Sequence, residues 1–243
     1  MTVDPSPLEI LNSHIVACER CSRLREYTAE VARVRRRAYA ECEYWGRPVP
    51  SFGDERARVL LLGLAPGAHG SNRTGRMFTG DGSGDFLFPV LHETGFASQP
   101  NAASRDDGMK LKGMWISALV HCAPPANKPT PEEQGNCAPW LEAEMSLLAN
   151  LRVVVCLGKI AFDGLVAHAR RTGQLDADSR PAFAHSVEFK LTDGLKVMAS
   201  YHPSLQNTNT GKLTRPMFLE IFKRARELAG LRQQKTLKPP VVN

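Results

Sequence analysis

Three stretches of this 243-residue chain hold residue types that do chemistry. The first is Gly63-Leu64-Ala65-Pro66-Gly67-Ala68-His69-Gly70-Ser71-Asn72-Arg73-Thr74-Gly75-Arg76-Met77-Phe78-Thr79-Gly80-Asp81-Gly82-Ser83-Gly84, seven glycines in twenty-two residues. Glycine lets backbone approach a ligand closely. Asp81 stands just ahead of an apolar helix start at Phe86, and the free N–H groups of such a start favour an anion. The second stretch runs from Ser200 to Arg215 and places His202 beside Pro203, followed by the hydrogen-bonding Ser204, Asn207 and Lys212. An imidazole held in this way suits an electrophile. The third, from His121 to Pro131, offers the amide of Asn127 and the thiol of Cys122. A carboxylate, an imidazole and an amide are the parts of general acid–base chemistry and of anion stabilisation. Gly211-Lys212 is not a phosphate-binding loop, because Gln206 stands where its first glycine belongs and Leu213 replaces the Ser or Thr.

Six cysteines form a second chemical set. Cys18 and Cys21 make a C-x2-C pair, with Cys122 and Cys137 far downstream. Cys156 lies in the apolar run Val153–Leu157 and reads as a small hydrophobe, and Cys42 has no partner nearby. In a reducing compartment thiols serve metals or chemistry rather than disulfides. Zinc ribbons use two close pairs. One close pair with two scattered ligands suits a larger object such as an iron–sulfur cube, although zinc and unligated thiols stay open on spacing alone.

The elements that must position these residues follow from hydrophobic patterning. Four short apolar runs, Val59–Leu64, Met114–Val120, Val153–Leu157 and Lys196–Tyr201, read as strands. Unbroken runs favour a parallel sheet covered on both faces. Helical periodicity spans residues 7–37, residues 159–171 and residues 216–231. Another helix starts at Thr130-Pro131-Glu132-Glu133, where an N-cap residue precedes a first-turn proline and early acids. Residues 45–54, rich in glycine and proline, read as irregular, and residues 98–112 as a polar surface loop. Strands alternating with helices predict an α/β three-layer sandwich with a central four-stranded parallel sheet. The three chemical stretches then fall after strands, where open α/β sheets bind ligands. A single domain is expected over residues 1–232, with a flexible tail at 233–243.

Composition narrows the partners. Hydrophobic residues at 42% and charged residues at 23% exclude collagen-like and wholly disordered classes. No eighteen-residue apolar run and no signal-peptide pattern occurs, so a soluble, cytoplasmic protein without a membrane partner is expected. The net charge of +6 is uneven. Residues 20–37 hold seven Arg against two Glu, and residues 212–238 hold eight Lys or Arg against two Glu, over an otherwise acidic remainder. Clustered positive charge suits a phosphate-bearing polymer, although two solvated helix faces would read the same way.

Together these motifs resemble the uracil-DNA glycosylase superfamily, most closely its family 5 branch, whose members carry a 4Fe-4S cluster. The resemblance rests on Gly63-Leu64-Ala65-Pro66-Gly67, Asn72 to Arg76, Phe78 to Asp81, His202-Pro203-Ser204 and the four cysteines, and covers about Cys18 to Arg226. Family 4 carries Glu at the second position of the first motif, and its pyrimidine-reading Asn corresponds to Ala118 here. The family 5 pattern accepts a broader range of bases.

The resemblance implies a structural 4Fe-4S cluster on Cys18, Cys21, Cys122 and Cys137, and a monomer acting on double-stranded DNA that contains uracil or other deaminated bases such as hypoxanthine. In a protein doing this chemistry, Asp81 would stabilise the cationic sugar or orient water, His202 would donate to the leaving base, and Asn127 would help place the water. Phe78 would stack on the base, beside the backbone of Ala65 and Gly67. Asn72, Arg73, Arg76, Ser204, Asn207 and Lys212 would contact DNA, with Leu205 or Leu213 as the wedge. No Lys stands where a Schiff-base nucleophile is expected, so hydrolysis without a lyase step is predicted. Such an enzyme would be cytoplasmic and nucleoid-associated during repair; a DNA-binding iron–sulfur module without catalysis is the alternative.

Overall fold

The structure, a computed structural model, describes residues 4–231. The expected tail at 233–243, with residue 232, lies outside the described residues. A six-stranded sheet forms the centre, in the order β1 (Phe52–Gly53), β3 (Met114–Ala118), β2 (Val59–Gly63), β4 (Val153–Leu157), β6 (Lys196–Ser200), β5 (Glu188–Lys190). Its inner four strands are mutually parallel, as their unbroken apolar runs require. The expected count of four is corrected to six by two antiparallel edges. Neither edge announces itself. β1 is two residues long, and β5 exposes both of its glutamate and lysine ends.

Alternation along the inner strands sorts side chains into two layers. Leu60, Leu62, Trp115, Val154, Cys156 and Val197 face α1 (Pro7–Val16), α2 (Ser22–Val34), α5 (Pro131–Leu147) and α6 (Lys159–Arg171). Val59, Leu61, Met114, Ile116, Val155 and Met198 face α4 (Gly82–Glu93) and α8 (Arg215–Leu228). Both layers are dry, and each fully buried aliphatic or aromatic side chain contributes about 1.5–3 kcal/mol. Cys156 is buried in the first layer as a hydrophobe.

The periodicity over residues 7–37 resolves into two helices that break at the C-x2-C pair. Capping boxes start α1 at Ser6 and Glu9, and α5 at Thr130 and Glu133. Glu133 also takes a two-pronged ion pair from Arg23, which ties α2 to α5. The chain leaves β2 toward β3 on one side, while β4 and β6 lie on the other. The loop after β2 therefore opens at the point where strand order reverses, the usual crevice of an open α/β sheet. No helix among the described residues is long and apolar enough to cross a membrane.

Candidate active site

One pocket of about 690 Å3 occupies this crevice, lined by Ala65, Gly67, Phe78, Asp81, Ala118, Asn127, His202 and Leu205 among others. Four strand ends feed it. Gly63 and Ala118 are paired neighbours at the ends of β2 and β3, Gly158 follows β4, and His202 follows β6. The three chemical stretches thus meet in one place.

Asp81 is the N-cap of α4. Its Oδ1 accepts from the N–H groups of Ser83 and Gly84 at 3.0 and 3.1 Å. Oδ2 lies against the 67–70 turn, so close that a Cβ on Gly70 would sit 2.0 Å from it. Glycine is required there by contact. Burial pushes the Asp81 carboxyl above its ordinary value, opposed by the Gly84 and Ser83 N–H groups. Phe78 lies at φ 54°, an unfavourable region for an aromatic residue. Its N–H donates to Ser71 Oγ, and its carbonyl passes where a Cβ on Gly84 would stand, 1.9 Å away. Asn127 is likewise left-handed, φ 57°, directly after Ala126 at φ 51°. Two strained residues lining one pocket mark a site the fold maintains at a cost.

Burial pulls the His202 imidazole down to about 4, so it is neutral at physiological pH. Its loop is braced by Asn207, whose amide donates to the His202 carbonyl at 2.8 Å, and by Ser204, the N-cap of α7 (Leu205–Asn209). The ring lies 6.2 Å from that of Phe78.

The expected DNA-contacting set separates. Leu205 is 60% exposed at the pocket mouth, leaning over Gly82, whereas Leu213 is fully buried in the α4–α8 layer and has no surface for a duplex. Asn72 is also fully buried, its amide donating to the Thr28 and Ala68 carbonyls. Arg76, 4% exposed, grips Asp107 with two hydrogen bonds of 2.8 and 2.7 Å. These three are corrected from surface to scaffold. Arg73 is half-buried and buttresses the loop through the His69 and Gly80 carbonyls, under the ring of Tyr39. Lys212 is exposed, 5.0 Å from the Tyr201 ring.

Lys159 and Ile160, not anticipated from sequence, also line the pocket. Lys159 is engaged by Asp163 at 2.5 Å. The charge clusters divide in the same way. On α8, Arg215, Lys223 and Arg224 pair with Glu93, Glu220, Glu188 and Glu227. Beyond α2, Arg36 and Arg37 are exposed and enter no ion pair among the described residues, and the charge of Arg36 reaches His69 beside the pocket loop.

On the far side of the α1–α2 turn, Cys18, Cys21, Cys122 and Cys137 line one small cavity with Arg25, His121 and Trp140. The arrangement is four thiols around a space; among the described residues, three or more metal-binding side chains do not close on a single ion. Burial raises Cys122 and Cys137 to about 12. These are neutral thiols that lose protons on taking up a metal.

Residues 50–226 match the family model of the uracil DNA glycosylase superfamily. The chain is 52% identical over 217 residues to a type-5 uracil-DNA glycosylase of Thermus thermophilus, covering 89% of this chain and 96% of that one. It is 46% identical over 222 residues to a type-5 enzyme of Mycobacterium bovis, with 91% and 81% covered. Identity falls to 29% over 178 residues against a type-4 enzyme of Thermotoga maritima, with 72% and 79% covered. A family match over most of the length and type-5 relatives at about half identity place this chain in the uracil DNA glycosylase superfamily, among its type-5 members.

Proposed function

We propose that this protein is a DNA-repair glycosylase that hydrolyses the N-glycosidic bond of uracil, and of other deaminated bases such as hypoxanthine, in double-stranded DNA. The observation that carries the reading is the convergence of Asp81, Asn127, Phe78 and His202 on one pocket. A base inside a duplex is out of reach, so the nucleotide is flipped out at a cost of about a few kcal/mol. Phosphate contacts from the exposed Arg36, Arg37 and Lys212 offset that cost, and Leu205 fills the vacated stack.

Bond cleavage leaves a cationic sugar and an anionic base. His202, neutral at working pH, donates one N–H to the base as its charge grows, and removing such a donor typically costs about 10²–10³ in rate. Asp81 keeps Oδ1 on the α4 N-terminus while its carboxylate lines the pocket, where it serves the attacking water and the sugar. Asn127, which lines the same pocket, helps hold that water. Phe78 and the backbone of Ala65 and Gly67 cradle the ring. Ala118 offers a methyl where an amide would select pyrimidines, which supports breadth of substrate.

The four-thiol cavity fits a 4Fe-4S cluster on Cys18, Cys21, Cys122 and Cys137: the donor set is all sulfur, and buried N–H groups around it lack acceptors. Held there by Cys18, Cys21, Cys122 and Cys137, such a group would supply structure, joining the N-terminal helices to the turn after β3 and to α5.

The test is a panel of single-lesion duplexes (uracil, hypoxanthine, xanthine and undamaged bases) scored for alkali-labile sites. Uracil and hypoxanthine are expected to be cut by the wild type, and His202→Ala is expected to bind DNA but release base at least a hundredfold more slowly. Binding without release by the wild type would identify a non-catalytic DNA-binding module instead.

A further inference from the structure

Buried polar side-chain atoms without a hydrogen-bond partner gather around the thiol cavity. They are Arg25 Nε and Nη1, Trp140 Nε1 and His121 Nε2. A buried donor left unpaired is costly, and an isolated one would be a defect. Arg25 and Trp140 can only donate, and two donor residues orphaned beside the same cavity point to an acceptor within it.

Sequence spacing explains the arrangement. Arg25 lies one helical turn beyond Cys21 on α2, and Trp140 lies three residues beyond Cys137 on α5, so each shares a helix face with a thiol. Arg25 stands near enough to Cys122 for its charge to act on that thiol. The guanidinium of Arg20 stacks over the Trp140 ring at 4.4 Å and closes the outer side. Asn136 adds a long contact to Cys21 Sγ at 3.7 Å. His121 Nδ1 is committed to the Val49 carbonyl at 2.7 Å, which fixes its ring with Nε2 toward the cavity. Arginine and tryptophan are donors at every working pH, and the inference rests on them alone.

We propose that Arg25 and Trp140 donate N–H···S hydrogen bonds to the sulfur atoms of the cluster, and that the fixed charge of Arg25 resists the cluster's one-electron oxidation. This rests on the iron–sulfur reading above. Four thiolates around the iron–sulfur core make a net anion, and oxidation removes one unit of its negative charge. A cation lining the same cavity favours the more negative state, as do hydrogen bonds to sulfur, so both raise the reduction potential.

The test uses the full chain, purified without oxygen. Iron and sulfide are counted first, and the visible absorbance of the cluster is then titrated with ferricyanide. One electron passes from each cluster to one ferricyanide, which becomes ferrocyanide. Arg25→Met is expected to favour the oxidised cluster at least tenfold relative to wild type, about 59 mV for a one-electron couple. Trp140→Phe, which keeps the ring and loses the N–H, is expected to shift less in the same direction, and Arg25→Lys to stay nearer wild type. Wild-type midpoints in both Arg25→Met and Trp140→Phe would overturn the proposal. Where Arg25→Met loads no iron, Trp140→Phe decides the question by the same titration, a wild-type midpoint overturning the proposal. A wild type without iron and sulfide is a different failure, that of the iron–sulfur reading itself.

Discussion

Replacing Asp81 by Asn, and separately by Ala, divides a cap from a charge. As a cap, Oδ1 accepts two backbone N–H groups at 3.0 and 3.1 Å. Asn retains an oxygen for that purpose, whereas Ala does not and costs about 1 kcal/mol, or roughly 2–4 °C in Tm for a chain of this size. As a charge, Asp81 has a folded pKa raised by burial. The folded state therefore binds its proton more tightly than the unfolded chain does. The resulting penalty is in full force above the raised value, shrinks as pH falls through it, and is absent below the ordinary carboxylate value. Asp81→Asn should then melt at or above the wild-type temperature at neutral pH, with the gain fading in acid.

Catalysis should move the opposite way. Losing a positioned base removes about 10²–10⁴ in rate, roughly 3–5 kcal/mol of barrier. Single-turnover release of uracil measures this, with fluorescence anisotropy to verify that DNA is still bound. The acid limb of the wild-type profile should follow Asp81 and lie above the ordinary carboxylate range, because His202 stays neutral down to about 4. Wild-type turnover by Asp81→Asn would refute the reasoning and leave the carboxylate as a cap alone.

Gly70→Ala should reproduce the Asp81 defect in base release without touching the carboxylate, since its Cβ would lie 2.0 Å from Oδ2; retained activity would show that the turn yields. Leu205→Ala should slow excision from double-stranded DNA far more than from single-stranded DNA with Tm unchanged, whereas Leu213→Ala should cost about 2–5 kcal/mol of stability in urea unfolding. Arg76→Ala strands the Asp107 carboxylate and should cost about 3–5 kcal/mol. Although burial acts to raise Asp107, Arg76 and the N–H groups of Met109 and Ala103 hold it far below the usual carboxylate range. The pair's contribution is thus present above the ordinary value and lost only as pH falls toward the depressed one, so urea midpoints of wild type and variant should converge only in strong acid.

Much of the positioning framework was legible in order along the chain. The four inner strands carry short, largely apolar runs because both of their faces are covered, and their length of five residues separates them from buried helices. The glycine-rich loop, the His202 turn and the Asn127 turn each follow a strand, so their convergence needed only a parallel sheet. Thr130 and Glu133 wrote the start of α5 locally, by hydrogen bonds that reach no further than three residues.

Burial was not legible, because a residue's type does not state what packs over it. Asn72, Arg76 and Leu213 look like surface groups in a basic loop, yet Thr28, Asp107 and the α4–α8 layer cover them from positions 31 to 44 residues away or from another helix. The edge strands β1 and β5 were hidden for a related reason: an edge is defined by its partner, and neither segment carries a strand pattern of its own. Cysteine spacing suggested a shared metal site, but only the folded chain brings Arg25 and Trp140 to the same cavity, through helices that sequence separates by more than a hundred residues. Local hydrogen bonds and apolar periodicity are written in the chain. Which charges are dry, and what each one faces, is decided by long-range packing.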